Sequence, residues 1–133
     1  MTLFVDASAL VAIIANEAES EHLLLVMEQD QQRTTSGIAL WETARALARL
    51  SRDPISVADG LAEAQRWCAA LAIGITGIDA AVAHEAARVQ DRYGKGNHPA
   101  RLNMGDCFAY ACAKTNNAKL LYKGDDFVHT DMP

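Results

Sequence analysis

Apolar and polar positions along the chain switch repeatedly between a period of two and a period near 3.6. Thr2-Leu3-Phe4-Val5 is a short β-branched and aromatic run stopped by Asp6, the pattern of a buried strand that ends in a carboxylate. Residues 7–16 are rich in Ala, Leu and Ile and predict a helix, with Asp6 or Ser8 as its cap. A second helix is predicted over 20–30, and a second strand, weak in hydrophobicity, over 33–36, where Gly37 breaks it. Residues 39–52 read as a strong helix ended by Asp53-Pro54. Another covers 56–71, with Ser56 as cap and Trp67 and Leu71 on its apolar side. Residues 73–75, or 73–78, form a short third strand, after which Asp79 caps an Ala-rich helix reaching about Tyr93. Residues 94–105 contain three Gly and one Pro and read as a loop; 106–116 is helical again and 119–123 is the last strand.

That order of strands and helices predicts an α/β fold, a three-layer α/β/α sandwich around a mostly parallel central sheet. The 133 residues suit a single domain, and a 50% apolar content supports a sizeable core and excludes disorder. With 12 Lys and Arg against 17 Asp and Glu, the net charge of −5 argues against a broad electrostatic grip on nucleic acid and leaves room only for a local basic patch. Cys68, Cys107 and Cys112 show no CxxC spacing and read as free thiols of a reducing compartment. The apolar stretch 7–15 lacks a basic segment before it and does not read as a signal peptide, and no run is long enough to span a membrane. A cytoplasmic location is expected.

Parallel α/β folds carry their chemistry beyond the carboxyl ends of the strands, at the switch in strand order. Most of the ten Asp and seven Glu must be solvated surface charge, but four places stand apart. Asp6 ends the first strand, Glu42 lies early in the helix after the second, Asp106 begins an apolar helix, and Asp125-Asp126 follow the final strand. Taken singly, each has an ordinary structural role: helix capping for Asp6 and Asp106, an ion pair with Arg45 for Glu42, a turn for Asp125 and Asp126. Taken together, acids at equivalent strand ends without His or Cys form a site for a hard cation, Mg²⁺ or Mn²⁺. Unpaired and half-buried, they would repel one another, and a divalent ion removes that penalty.

FVDASAL at residues 4–10, the acid of ALWET at 39–43, LNMGDCFAYACA at 102–113 and LLYKGDDF at 120–127 together resemble the PIN domain, and more narrowly the VapC toxins of bacterial type II toxin–antitoxin systems. The resemblance implies a metal-dependent endoribonuclease, usually a homodimer neutralised by a VapB-type antitoxin. Asp6, Glu42 and Asp106 match the family's first three acids, and Asp126, ahead of its neighbour Asp125, the fourth. Met104 stands where an aromatic is common in the family, a change expected to affect packing and not chemistry.

On this reading Asp6, Asp106 and Asp126 hold one or two Mg²⁺ or Mn²⁺ ions that activate water against an RNA phosphodiester, and Glu42 holds the second ion or orients the water. Arg45, Arg49 and Arg52, at +3, +7 and +10 from Glu42, fall on one helix face and lead phosphates toward the acids, or are simply a solvated basic face. Lys95, His98 and Arg101 give the Gly-rich loop a second cationic segment. Ser8 is a candidate contact to a carboxylate, to water or to RNA, or a cap. Trp41, Trp67 and Leu61 have helical spacing that fits core or subunit contacts, core ahead of the other, and Cys107 and Cys112 read as packing residues. Two other functions compete: a catalytically silent PIN-like module that binds RNA or protein, and an aspartyl-nucleophile phosphatase. The phosphatase usually places a second acid two residues after the first, where this chain has Ser8.

Overall fold

In the computed structural model, which describes residues 2–132, four strands lie side by side and all run parallel. The chain order is β1 (Thr2–Val5), α1 (Ala7–Ile14), α2 (Ser20–Glu28), β2 (Gln32–Ser36), α3 (Gly37–Leu50), α4 (Val57–Ala70), β3 (Ile73–Thr76), α5 (Ala80–Tyr93), α6 (Met104–Thr115) and β4 (Ala118–Leu121). Across the sheet the strands are ordered β3-β2-β1-β4. The chain lays β2 and β3 on one side of β1 and then returns to place β4 on the other. The switch in strand order therefore falls beside the end of β1.

Period-two alternation sorts the strand side chains onto the two faces. Phe4 and Leu120 join a buried cluster with α5 and α6 residues such as Val82, Val89, Tyr110 and Cys112. Leu3, Val5 and Leu121 point the other way, into a cluster with Leu10, Leu23, Leu47 and Cys68 from α1, α2, α3 and α4. These two cores make the three layers of the expected sandwich. All three cysteines are buried and free, and burial pushes the Cys107 and Cys112 thiols up to about 11, which suits packing and not thiolate chemistry.

β2 (QRTTS) is almost wholly polar, and its side chains explain why it pairs nonetheless. Thr35 Oγ1 donates to the Val5 carbonyl (2.8 Å) at the end of β1. Arg33 Nε donates to the Met27 and Asp30 carbonyls (3.1 and 2.8 Å), and its Nη1 to the Leu71 carbonyl (2.8 Å). One guanidinium thus satisfies the open C-terminal carbonyls of α2 and the turn after α4.

Several boundaries differ from the sequence reading. Gly37 does not merely break the second strand; it opens α3, because Ser36 caps the helix by accepting from the Ala39 amide (3.1 Å). α6 begins at Met104, not Asp106, because Asn103 is the cap. α3 ends at Leu50, so Arg52 lies beyond the helix and off the face that carries Arg45 and Arg49. β4 ends at Leu121, leaving Lys123 in the following turn. Trp41 is not a core residue: it is 49% exposed, whereas Trp67 and Leu61 pack partly buried against the α1–α4 core.

α3 and α4 approach closely at Gly60, where a Cβ would overlap the Ala44 carbonyl and sit 3.2 Å from its carbon. A Gly-to-Ala change inside a helix ordinarily stabilises by up to about 1 kcal/mol. Here the obstacle is rigid backbone, and overpacking costs about 1–3 kcal/mol. Gly60→Ala is therefore expected to lower the urea midpoint with an unchanged m-value. A raised midpoint would show that the two helices are free to separate.

Candidate active site

Asp6 emerges one residue past β1, in the middle of the sheet, and its amide donates to the Leu121 carbonyl of β4 (2.9 Å). It caps α1, and it is buried. Ser8 anchors its carboxylate twice on the same oxygen, through the amide (3.0 Å) and the hydroxyl (2.6 Å), both to Oδ2. The Ser8 hydroxyl in turn accepts from the Lys123 amide (3.0 Å), so a chain of bonds ties the segment after β4 to the acid after β1. Ser8 thus makes the carboxylate contact expected of it and positions Asp6. A hydroxyl that donates to the first acid also cannot supply the second acid of an aspartyl phosphatase.

Asp106 is the third residue of α6 and closes a capping box. Its amide donates to Asn103 Oδ1 (2.9 Å), and its own Oδ2 accepts from the Asn103 amide (3.1 Å). Capping and site-building are therefore not alternatives for Asp6 and Asp106, since in each acid one oxygen does the anchoring. Glu42 reaches from α3 to the start of α6, where its carboxylate lies against the Gly105 backbone. A Cβ on Gly105 would stand 2.6 Å from Glu42 Oε1 and overlap the other oxygen. Gly105 is the residue that sequence reasoning missed, and its only sequence signal is its place directly before Asp106.

The electrostatics show that these acids share one neighbourhood. Burial, then the charges of Asp6 and Asp106, push Glu42 up to about 7, with Arg45 opposing weakly. Burial pushes Asp106 up to about 6 against the pull of its Asn103 bond, with Asp126 and Asp6 adding to the rise. Asp6 is likewise raised, chiefly by burial, with Asp126 contributing. Asp126, exposed on the segment after β4, therefore acts on two of the other three acids, whereas the charge of Asp125 falls on Tyr122. Among the described residues no Lys, Arg or His nitrogen lies within 4.0 Å of Asp6, Glu42, Asp106 or Asp126.

An oxygen-only set of mutually repelling, uncompensated carboxylates fits a hard divalent cation in chemistry. Their side chains are gathered but not converged: among the described residues no three His, Cys, Asp or Glu form a group that would hold a metal ion as they stand. The segment bearing Asp126 has no regular structure and is fastened by three devices. Phe127 is buried and meets the Tyr122 ring edge-on at 4.9 Å, the Tyr110 hydroxyl bonds Asp131, and Arg92 and Lys114 approach Asp131 at 4.0 and 3.9 Å.

The cationic residues of α3 and of the Gly-rich loop differ in their surroundings. Arg45 is not ion-paired with Glu42; its guanidinium lies 4.9 Å over the Trp41 ring. Arg49, one turn on, is exposed, as are Lys95 and Arg101. His98 turns inward, accepting from the Ala100 amide (3.0 Å) and packing edge-on against Tyr93.

Residues 3–132 match the model of the PIN domain. The chain is 36% identical to ribonuclease VapC30 of Mycobacterium tuberculosis over 130 residues, covering 98% of this chain and 95% of the relative. The chain belongs to the PIN-domain VapC ribonucleases. A VapC ribonuclease of Mycolicibacterium smegmatis is 38% identical over 98% of this chain and 97% of its own. Among solved structures, M. tuberculosis VapC20, described as a sarcin–ricin loop cleaving toxin, shares the fold at a TM-score of 0.74 and 16% identity, covering 98% of this chain and 96% of that one. A toxin–antitoxin complex from Klebsiella pneumoniae does so at 0.69 and 19%, covering 98% and 93%. No helix among the described residues is long and apolar enough to cross a membrane.

Raised acid pKa values mean that the folded chain binds protons more tightly than the unfolded one. The stability they contribute is complete below the unfolded values of 4.5 and 3.8 and is lost as pH rises through about 6 and about 7. In EDTA, Glu42→Gln is expected to raise Tm at about pH 8 by a few degrees and leave it nearly unchanged at about pH 5. An equal shift at both pH values would remove Glu42 from the coupled cluster. Gly105→Ala is expected to displace the flexible Glu42 carboxylate while the fold survives, and so to reproduce the pH-dependent melting of Glu42→Gln. Outright unfolding would mean that the contact is limited by backbone, not by the Glu42 side chain.

Proposed function

We propose that the chain is a metal-dependent endoribonuclease, the toxin of a type II toxin–antitoxin pair, which hydrolyses RNA phosphodiesters at the acids gathered around the end of β1. The observation that carries this reading is the gathering of buried Asp6 and part-buried Glu42 and Asp106, raised in pKa by burial and by neighbouring acids that include Asp126, with no side-chain cation within 4.0 Å among the described residues, in a chain whose relatives are named VapC ribonucleases. Asp6, Asp106 and Asp126 would hold Mg²⁺ or Mn²⁺. Such an ion supplies charge neutralisation at a phosphate oxygen and acidifies water for attack on phosphorus.

The protein's own part is placement. Ser8 and the Asn103 capping box fix the direction of Asp6 and Asp106 before any ion arrives, which reduces the reorganisation needed on binding. Glu42, with its affinity for a proton shifted toward neutrality, is suited to orient water or hold a second ion. Of the two neighbouring acids, Asp126 is the fourth member, because its field and not that of Asp125 reaches Asp6 and Asp106. A VapB-type antitoxin as partner, a homodimeric state and a cytoplasmic site of action follow from the family reading. The Klebsiella structure, a toxin–antitoxin complex of the same fold, agrees with such a partner.

A second reading is favoured by the lack of convergence among the acids: a PIN-like module that binds RNA or protein without turnover. One experiment separates the two. Purified, antitoxin-free protein should cleave a mixed RNA pool in Mg²⁺ or Mn²⁺ and not in EDTA. Asp6→Ala should lower the rate by more than the roughly 10- to 100-fold that loss of an outer-shell partner costs. Asp126→Ala should do the same, and Asp125→Ala should not. A folded sample that leaves every RNA intact, with wild-type and Asp6→Ala indistinguishable in metal affinity, would establish the silent module.

A further inference from the structure

Trp41 directly precedes Glu42 on α3, and 49% of it is open to solvent. Arg45 lies over its ring at 4.9 Å, and one guanidinium covers only one face of an indole. Arg45 and Arg49 are exposed, and no Asp or Glu oxygen lies within 4.0 Å of either among the described residues. The other elements that carry the acids repeat the arrangement. Met104, two residues before Asp106, is 60% exposed, and Val128, two residues after Asp126, is 43% exposed. Within two residues along the chain, Glu42, Asp106 and Asp126 each have an apolar side chain open to solvent, and the Trp41 ring is backed by an unpaired guanidinium.

RNA approaching these acids meets repulsion from a chain of net charge −5. Affinity at the site must then come from contacts that do not depend on net charge, and stacking of an unpaired base on an aromatic ring is the sequence-tolerant form of such contact. The guanidinium adds a planar cation that both polarises the indole and attracts the adjoining phosphate. From this complementarity we propose that Trp41, backed by Arg45, is a nucleobase-stacking subsite. It takes an unpaired base of single-stranded RNA next to the nucleotide whose phosphate reaches the acids. The proposal rests on the ribonuclease reading and adds the grip by which the substrate is held.

The chain has two tryptophans, so Trp67→Phe leaves Trp41 as the sole indole. Asp106→Asn in the same chain suppresses hydrolysis while keeping an oxygen for the Asn103 amide. With Mg²⁺ present, a short single-stranded RNA should quench Trp41 emission, and an abasic ribose-phosphate oligomer of equal length should not. Trp41→Ala should weaken RNA binding roughly 5- to 150-fold, and Trp41→Phe should restore most of it. Equal quenching by the abasic oligomer, or none by RNA, would overturn the subsite. So would Trp41 emission that is blue-shifted and dependent on protein concentration before RNA is added, since a second copy of the chain would then cover the ring. The outcomes separate from those for nuclease activity. Quenching without wild-type cleavage leaves the stacking contact and removes the enzyme, whereas metal-dependent cleavage without quenching removes only the subsite.

Discussion

Four carboxylates around the end of a single buried strand repel one another, and the rest of the molecule is organised to hold them there. Asp6, Glu42 and Asp106 are all raised in proton affinity, burial being the largest cause, with their neighbours' charges adding to it. Isolated, such groups would turn to solvent. Each is restrained by a device that needs no positive side chain: the Ser8–Lys123 amide relay at Asp6, the capping box at Asp106, the missing Cβ of Gly105 at Glu42. Helix-cap bonds to a carboxylate are charge-assisted and act through partial charges fixed by the backbone. They hold direction without neutralising the acid, which leaves its charge available to a cation.

The frame that resists the repulsion is the pair of hydrophobic clusters on either face of the parallel sheet. β1 lies between β2 and β4, and Leu3, Phe4 and Val5 are buried on both faces, so the strand end cannot yield to local strain. The acids grade outward from this centre. Asp6 is buried at the strand end, Glu42 is part-buried in the second turn of α3 and Asp106 in the first turn of α6, and Asp126 is exposed on a segment fastened through Phe127 and Asp131. The inner acids are fixed by secondary structure, and the outer one by side-chain contacts of an irregular tail. Gathering of the full set therefore depends most on that tail.

Nucleic-acid recognition has to work against the same charge. With 17 acids against 12 Lys and Arg, the chain has no net positive charge with which to grip a phosphate backbone. The Trp41–Arg45 pair beside Glu42 answers this locally, by placing a stacking surface and a cation where the acids alone would repel substrate.

Much of this was legible in the chain itself, because the relevant signals are local. Strand ends at Asp6 and Ser36, caps at Ser56 and Asp79, and the buried apolar run 3–5 are set by neighbours a few residues apart, and they sufficed to place the acids at one sheet edge and the fold in its class. The motifs around Asp6, Glu42, Asp106 and Asp126 identified the family for the same reason. What the tertiary structure alone decided involves residues far apart in sequence or free energies too small to read locally. Gly105 became part of the site because α3 and α6 meet there, 63 positions from Glu42. Arg45 chose Trp41 over Glu42, and Trp41 faced solvent, because the packing of α3 between the sheet and α4 fixes which of its faces is covered. Asn103 displaced Asp106 as the cap by one turn of competition between two equally suitable residues. Local pattern determines which residues lie at strand ends and helix starts. Only the long-range packing of two apolar clusters determines which of those ends meet, and so which charges must share one site.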